Sequence, residues 1–274
     1  MKIYLNSDDW GNSWNKKRYL QAADERLNLD VFHDIKDADA HGDYILNIEP
    51  FTFKTGYVWT GIWQIDTIFG QGKDEEWERA DNVFIAVSSL AEHLEKYRGK
   101  TTLLFQACDP TFNRRYKEIE PKFDFVVCGS GGEAYKERER LYELMESKYT
   151  YESYGKGRSP QEYSKILNNA KVQFIRSANT NIADGEIAQR FFECLAIGPV
   201  LTNWVDDLKH TGLVEGEDYM AYRNDKEMFK KMDLLLKPKI NQKIMANGRK
   251  KALLCHTYEH RINTILSTIN ERTF

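Results

Sequence analysis

The stretch from Asp184 to Gly198 concentrates the residues best suited to chemistry. Read as a helix, it places Glu186, Gln189, Arg190 and Glu193 at offsets of three, four and seven, on one shared face. Ile187, Phe191, Cys194 and Leu195 form an apolar stripe beside them, and Gly198-Pro199 supplies the stop. A carboxylate accepts from the paired hydroxyls of a ribose, and a guanidinium donates to phosphate. The same spacing also describes ordinary ion pairs on a helix surface. From the pattern alone both readings stand.

A second candidate lies upstream. The strand-like run Phe123–Cys128 leads into Gly129-Ser130-Gly131-Gly132-Glu133-Ala134 and then a charged helical pattern. Glycines such as Gly129 and Gly131 let the backbone approach an anion, and a helix N-terminus adds partial positive charge. The run matches G-x-G-x-x-A, and Glu152 falls near the place of a ribose-binding acid in dinucleotide-binding proteins. A nicotinamide-dependent oxidoreductase is therefore one reading, and a tight turn without ligand is another. Arg138, within the predicted helix, is near enough to aid a phosphate. Arg138 and Arg140 fit a solvated charged face equally well.

The elements that must position these groups alternate. Strand-like runs at Lys2–Leu5, Leu29–His33, Tyr44–Ile48, Val58–Asp66, Val83–Val87 and Thr101–Ala107 interleave with helical patterns, including Ser89–Tyr97. After a polar, proline-punctuated segment around Asp109–Pro121 the alternation resumes: Phe123–Cys128, Tyr149–Tyr154, Val172–Ile175, Val200–Thr202 and Asp218–Tyr222. A helix with Ser159 as cap and Pro160 in its first turn precedes Val172. The expectation is an α/β protein of two doubly wound, Rossmann-like domains facing across a cleft, with ligands beyond the carboxyl ends of the strands. The domains are expected at 1–120 and 121–256, followed by a terminal helix over 257–274.

At 274 residues the chain can bury one large core or two ordinary ones. A net charge of −3 argues against a dedicated nonspecific nucleic-acid binder, though not against a local basic cleft. The four cysteines (Cys108, Cys128, Cys194 and Cys255) lie far apart without metal-ligand spacing, which suits free thiols in a reducing cytoplasm. His256 and His260 lack an evident third ligand, so no metal site is expected. The polar turn after the first strand has no signal-peptide apolar region, and no apolar run reaches membrane-spanning length. A cytoplasmic protein without membrane insertion is expected.

The segment Arg190-Phe191-Phe192-Glu193-Cys194-Leu195-Ala196-Ile197-Gly198-Pro199-Val200-Leu201 resembles the R-x-F-E-x-L-A-x-G core of group 1 glycosyltransferases with the GT-B fold. Their spore-maturation-protein-like branch is the nearest in character. Gly61–Asp66, Ala107–Pro110, Val126–Gly129, Arg138-x-x-Leu141-x-x-Leu144, Tyr163–Leu167 and His256–Arg261 follow the same order. The resemblance implies a nucleoside diphosphate sugar, such as a UDP- or GDP-sugar, held by the C-terminal half, and a hydroxyl acceptor held by the N-terminal half. No cofactor beyond that co-substrate is implied. It also implies that the terminal helix packs back on the first domain.

Glu193 then matches the donor-ribose glutamate, and Arg190 and Arg138 serve the diphosphate. Glu186 stands seven positions before Glu193, where many relatives keep a glutamate eight positions before it; this offset puts its role on the sugar, and a retaining outcome, in doubt. Asp66 and Asp109 close predicted strands of the first half. Asp66 is the candidate acceptor base, while Asp109-Pro110 suits shaping of the domain crossover better than catalysis. Asp8, Asp9, Trp10 and Gly11 occupy the loop that faces acceptor and diphosphate in GT-B enzymes. The acids there suit acceptor hydroxyls, and Trp10 offers a stacking face. The acceptor is a small molecule, a protein, a glycan precursor or a hydroxylated DNA base, the last unsupported by net charge. A non-catalytic nucleotide-sugar-binding module is a third reading.

Overall fold

The computed structural model describes residues 1–6, 12–34, 44–48, 59–64, 74–86, 100–128, 136–153, 159–176, 187–188 and 190–270. Asp8, Asp9, Trp10, Gly11, Asp66, Gly129, Gly131 and Glu186 lie outside the described residues, as does the expected helix Ser89–Tyr97. The chain divides into two compact units, residues 1–106 with 258–274, and residues 107–257.

The first unit contains β1 (Ile3–Asn6), α1 (Asn12–Leu27), β2 (Phe32–Asp34), β3 (Tyr44–Ile48), β4 (Trp59–Gln64), α2 (Asp74–Arg79), β5 (Asn82–Ile85) and β6 (Thr101–Leu103). Its sheet is parallel throughout, in the order β2-β1-β3-β4-β5-β6. Parallel strands are covered on both faces, which is why Ile3–Asn6 and Asn82–Ile85 are buried at every position. The carboxylate of Asp24, near the end of α1, accepts from the Val31 and Phe32 N–H groups at 2.9 Å and fixes the entry to β2.

The second unit contains β7 (Phe123–Cys128), α3 (Lys136–Glu146), β8 (Tyr151–Ser153), α4 (Pro160–Asn168), β9 (Ala170–Ile175), α5 (Arg190–Leu195), β10 (Val200–Asn203), β11 (Met220–Tyr222), α6 (Asp225–Leu235) and α7 (Pro238–Cys255). Its sheet runs β8-β7-β9-β10-β11, again parallel. Leu141 and Met145 of α3, Met228, Met232 and Leu235 of α6, and Ile244 of α7 pack on Phe125, Val172 and Phe174. Helix α4 starts with the cap read from the sequence: Ser159 receives the Glu162 N–H, and Glu162 reciprocates to the Ser159 N–H.

Two boundaries differ from the sequence reading. The division falls at 106/107 because α4 holds the segment that follows: Asn168 accepts from the Tyr116 N–H at 2.9 Å and donates to the Arg114 carbonyl at 3.0 Å. The second difference is in α5, which is only six residues long, against the longer helix expected over Asp184–Gly198.

The last helix, α8 (Tyr258–Asn270), belongs to the first unit. Tyr258 sits between Tyr19 and Trp63, at 5.2 and 6.3 Å between ring centroids. The buried Arg261 guanidinium donates to the Phe105 and Gln106 carbonyls at 2.7 and 3.1 Å, and so satisfies the backbone where β6 has ended. Among the described residues no helix is long and apolar enough to cross a membrane.

Candidate functional site

In both sheets the strand order reverses beside the first strand: β2-β1-β3 in one unit and β8-β7-β9 in the other. Connections leave in opposite directions at such a point and open a crevice beyond the carboxyl ends of the strands. In the second unit that crevice lies past Cys128 and Ile175. Arg138, in the first turn of described α3, is 5% exposed and donates through Nη2 to the Arg176 carbonyl at 2.9 Å. Its position is therefore tied to the end of β9.

Arg176 itself is a residue the sequence reading passed over. It is half-buried, immediately follows β9, and its enclosed Nε has no hydrogen-bond partner. Strand alternation puts it on the face of Phe174, the α3 side. Its charge there helps lower the Glu137 carboxyl pKa, an effect led by the Arg140 hydrogen bonds. The available signal was a cation directly after a predicted strand at the reversal point. By contrast Arg140 is exposed and is held by Glu137 and Asp225, the solvated role that its spacing also allowed.

Glu193 lies on the other face of the sheet, on α5. Its carboxylate belongs to a residue only 5% exposed, which does not fit an exposed surface ion pair. Arg190 opens the same helix and is half-buried. The helix is pinned from several directions. Phe191 meets Tyr219 edge-on at 5.3 Å, and Phe192 stacks on His256 at 4.8 Å. Gly248 of α7 passes so close that an added Cβ would strike the Asp218 carbonyl oxygen and stand 2.7 Å from Leu195 Cδ1. At the far end, Gly198 leaves room for the buried Gln173 side chain, whose Nε2 a Cβ would approach to 3.0 Å.

Asp109 is held in a turn, in keeping with a shaping of the chain after β6. It is fully buried, one carboxylate oxygen accepts from the Thr111 N–H at 2.8 Å, and its own N–H donates to Asn113 Oδ1 at 2.8 Å. This is the geometry of an aspartate that forms a turn. In the first unit the reversal point is marked by Asn6, the last residue of β1, and its register partner Asn47, the last but one of β3. The Asn6 Nδ2 donates to Asn47 Oδ1 at 2.7 Å, out of contact with solvent. Neither was singled out in the sequence, because asparagine at a strand end reads as a turn former. Among the described residues no cluster of His, Cys, Asp or Glu could hold a metal ion.

Residues 110–267 match the glycosyl transferase-like family, and the chain belongs to it. Solved structures agree on the fold. HepE of Anabaena, in complex with UDP and glucose, superimposes with a TM-score of 0.62 at 9% identity, over 98% of this chain and 100% of that one. Sucrose-phosphate synthase from Thermosynechococcus elongatus gives 0.57 at 14% identity, over 84% of this chain and 73% of that one. The pneumococcal O-GlcNAc transferase GtfA, in complex with UDP and GlcNAc, gives 0.55 at 11% identity. There the alignment takes in 96% of this chain but only 60% of GtfA. No curated protein sequence matches the chain. The protein is a glycosyltransferase with the GT-B fold. The family match includes residues 129–134, and among the described residues the second sheet runs β8-β7-β9-β10-β11.

Proposed function

We propose that the protein transfers a sugar from a nucleoside diphosphate sugar, such as a UDP- or GDP-sugar, to a hydroxyl acceptor, with the donor held by the second unit. The supporting observation is Glu193: a nearly enclosed carboxylate, within the R-x-F-E run, on a short helix that aromatic contacts and a glycine crossing hold in place. In this reading Glu193 accepts from the ribose hydroxyls. Arg138, Arg176 and Arg190 meet the diphosphate. HepE and GtfA, whose structures contain UDP with a sugar, lend the donor class.

Transfer breaks the bond between the anomeric carbon and the diphosphate oxygen and forms one from that carbon to the acceptor oxygen. The nucleoside diphosphate leaves with the bonding electrons, and fixed cations lower the energy of that developing charge without reorganisation. The acceptor proton needs a base, for which Asp66 is the sequence candidate, with Asp8 and Asp9 as hydroxyl-positioning groups. No metal or resident cofactor enters this scheme, and a cytoplasmic setting suits it. Within the family, the Arg190–Leu201 run favours the spore-maturation-protein-like branch.

Calorimetry with UDP and GDP tests the assignment. Glu193→Ala is expected to weaken the preferred nucleotide by about 10- to 100-fold, the worth of a hydrogen bond to a charged group. Unchanged affinity in a folded variant removes Glu193 from the donor site.

A further inference from the structure

Helix α7 shows two contrasting sides. Ile244, Gly248 and Ala252, spaced four apart, are buried against the second unit. The next two ridges, Met245-Arg249-Leu253 and Ala246-Lys250-Leu254, form with Arg115 and Lys117 the wall of a groove of about 620 Å³. Its floor is apolar, from Met245, Leu253 and Leu254, and Leu254 is 59% exposed. Its rim is cationic, from Arg115, Lys117, Arg249 and Lys250, and among the described residues no acid lines it. Glu120 is near enough to Arg115 to act on its charge, yet lies outside the lining.

The sequence of α7 sharpens the contrast. It carries Lys239, Lys243, Arg249, Lys250 and Lys251 without one acidic residue, in a chain of net charge −3. Lys251 is engaged by the buried Asp218 at 2.7 Å, which leaves the groove-side cations on the opposite flank. An exposed leucine ringed by cations, on a helix of one charge sign, has the make-up of an interfacial helix. A broad negative surface attracts this face and repels the acidic remainder, so charge alone would orient the protein.

We propose that the α7 groove docks the protein on an anionic lipid surface, with Leu253 and Leu254 entering the headgroup boundary and Arg115, Lys117, Arg249 and Lys250 on the lipid phosphates. The contact is peripheral and reversible, and it is independent of how the donor is held.

Flotation of the full chain with vesicles tests it. The protein is expected to float with phosphatidylcholine vesicles that contain phosphatidylglycerol and to remain behind with phosphatidylcholine alone. High salt releases it, because the cations lie at the surface. Lys117→Glu with Lys250→Glu lowers the bound fraction about tenfold or more, and Leu254→Ser lowers it several-fold, with thermal unfolding and nucleotide affinity as folding controls. Absence from phosphatidylglycerol vesicles overturns the proposal, as does equal flotation of the charge-reversed protein. Binding of a soluble polyglutamate peptide without vesicle binding likewise overturns it and assigns the groove to an acidic protein.

Discussion

In the first unit, Asn6 and Asn47, register partners near the ends of β1 and β3, hydrogen bond to each other; in the second, β9 ends beside two guanidinium groups, Arg138 and Arg176. The two sheets begin with the same order, two-one-three, and both are parallel. Topology therefore supplies each unit with the same crevice and says nothing of what enters it. The difference lies in the side chains at the rim. An amide offers a neutral donor and acceptor, which suits hydroxyl groups, whereas buried cations suit a diphosphate. The contrast supports the proposed division of acceptor and donor between the units.

The strongest way to break the contrast is to disturb the frame that holds α5 in the second unit. Gly248→Ala pushes a methyl into the Asp218 backbone and Leu195, and a loss of about 3 kcal/mol in a urea melt is expected for such overpacking. Next in size, Arg176→Ala should weaken nucleoside diphosphate binding by about tenfold or more while sparing the bare nucleoside, as a lost charge-assisted contact does. Equal loss for both ligands in calorimetry would place Arg176 away from the phosphates.

On the opposite side, Asn47→Leu removes the buried acceptor that receives the Asn6 Nδ2 near the end of β3. It should cost about 1–2 kcal/mol of stability with nucleotide affinity intact. Any large fall in nucleotide affinity measured in the folded protein erases the division of labour.

The smallest effect belongs to Arg140, two residues from Arg138 but exposed. Arg140 hydrogen bonds hold the Glu137 and Asp225 carboxyls below the usual range. Their contribution is therefore present above the unfolded carboxyl pKa of about 4 and fades as pH falls through the lower folded values. After discounting for solvent, Arg140→Ala is expected to cost under about 1 kcal/mol at neutral pH. The difference from wild type should shrink in acid, and nucleotide affinity should not change.

Much of this was legible in the residues themselves. Alternating apolar runs located the strands, and Ser159-Pro160 gave a helix start that the structure keeps. The R-x-F-E run led to the family. What periodicity missed was depth. Helical spacing sorted Glu193 with the polar face, yet it is nearly as enclosed as Phe191, because α5 is short and covered from several sides. The division between the two units lies elsewhere than the sequence reading put it, for a related reason. The polar look of Asp109–Pro121 suggested a linker, but Ser164 and Asn168 of α4 satisfy its backbone. Arg176 and Asn6 were invisible because their meaning comes from strand order, which no local pattern encodes.

Helix α8 gives the first unit a peculiar schedule during synthesis. Tyr258, Ile262, Ile265 and Ile269 complete that unit's interior, and Arg261 satisfies the Phe105 and Gln106 carbonyls past its last described strand, yet they are translated after the whole of the second unit. The earlier-made half must therefore wait on the ribosome with an open flank while the later-made half can already be finished. Pulse proteolysis of stalled nascent chains should find residues 107–257 protected before residues 1–106, reversing the usual amino-to-carboxyl order of domain folding.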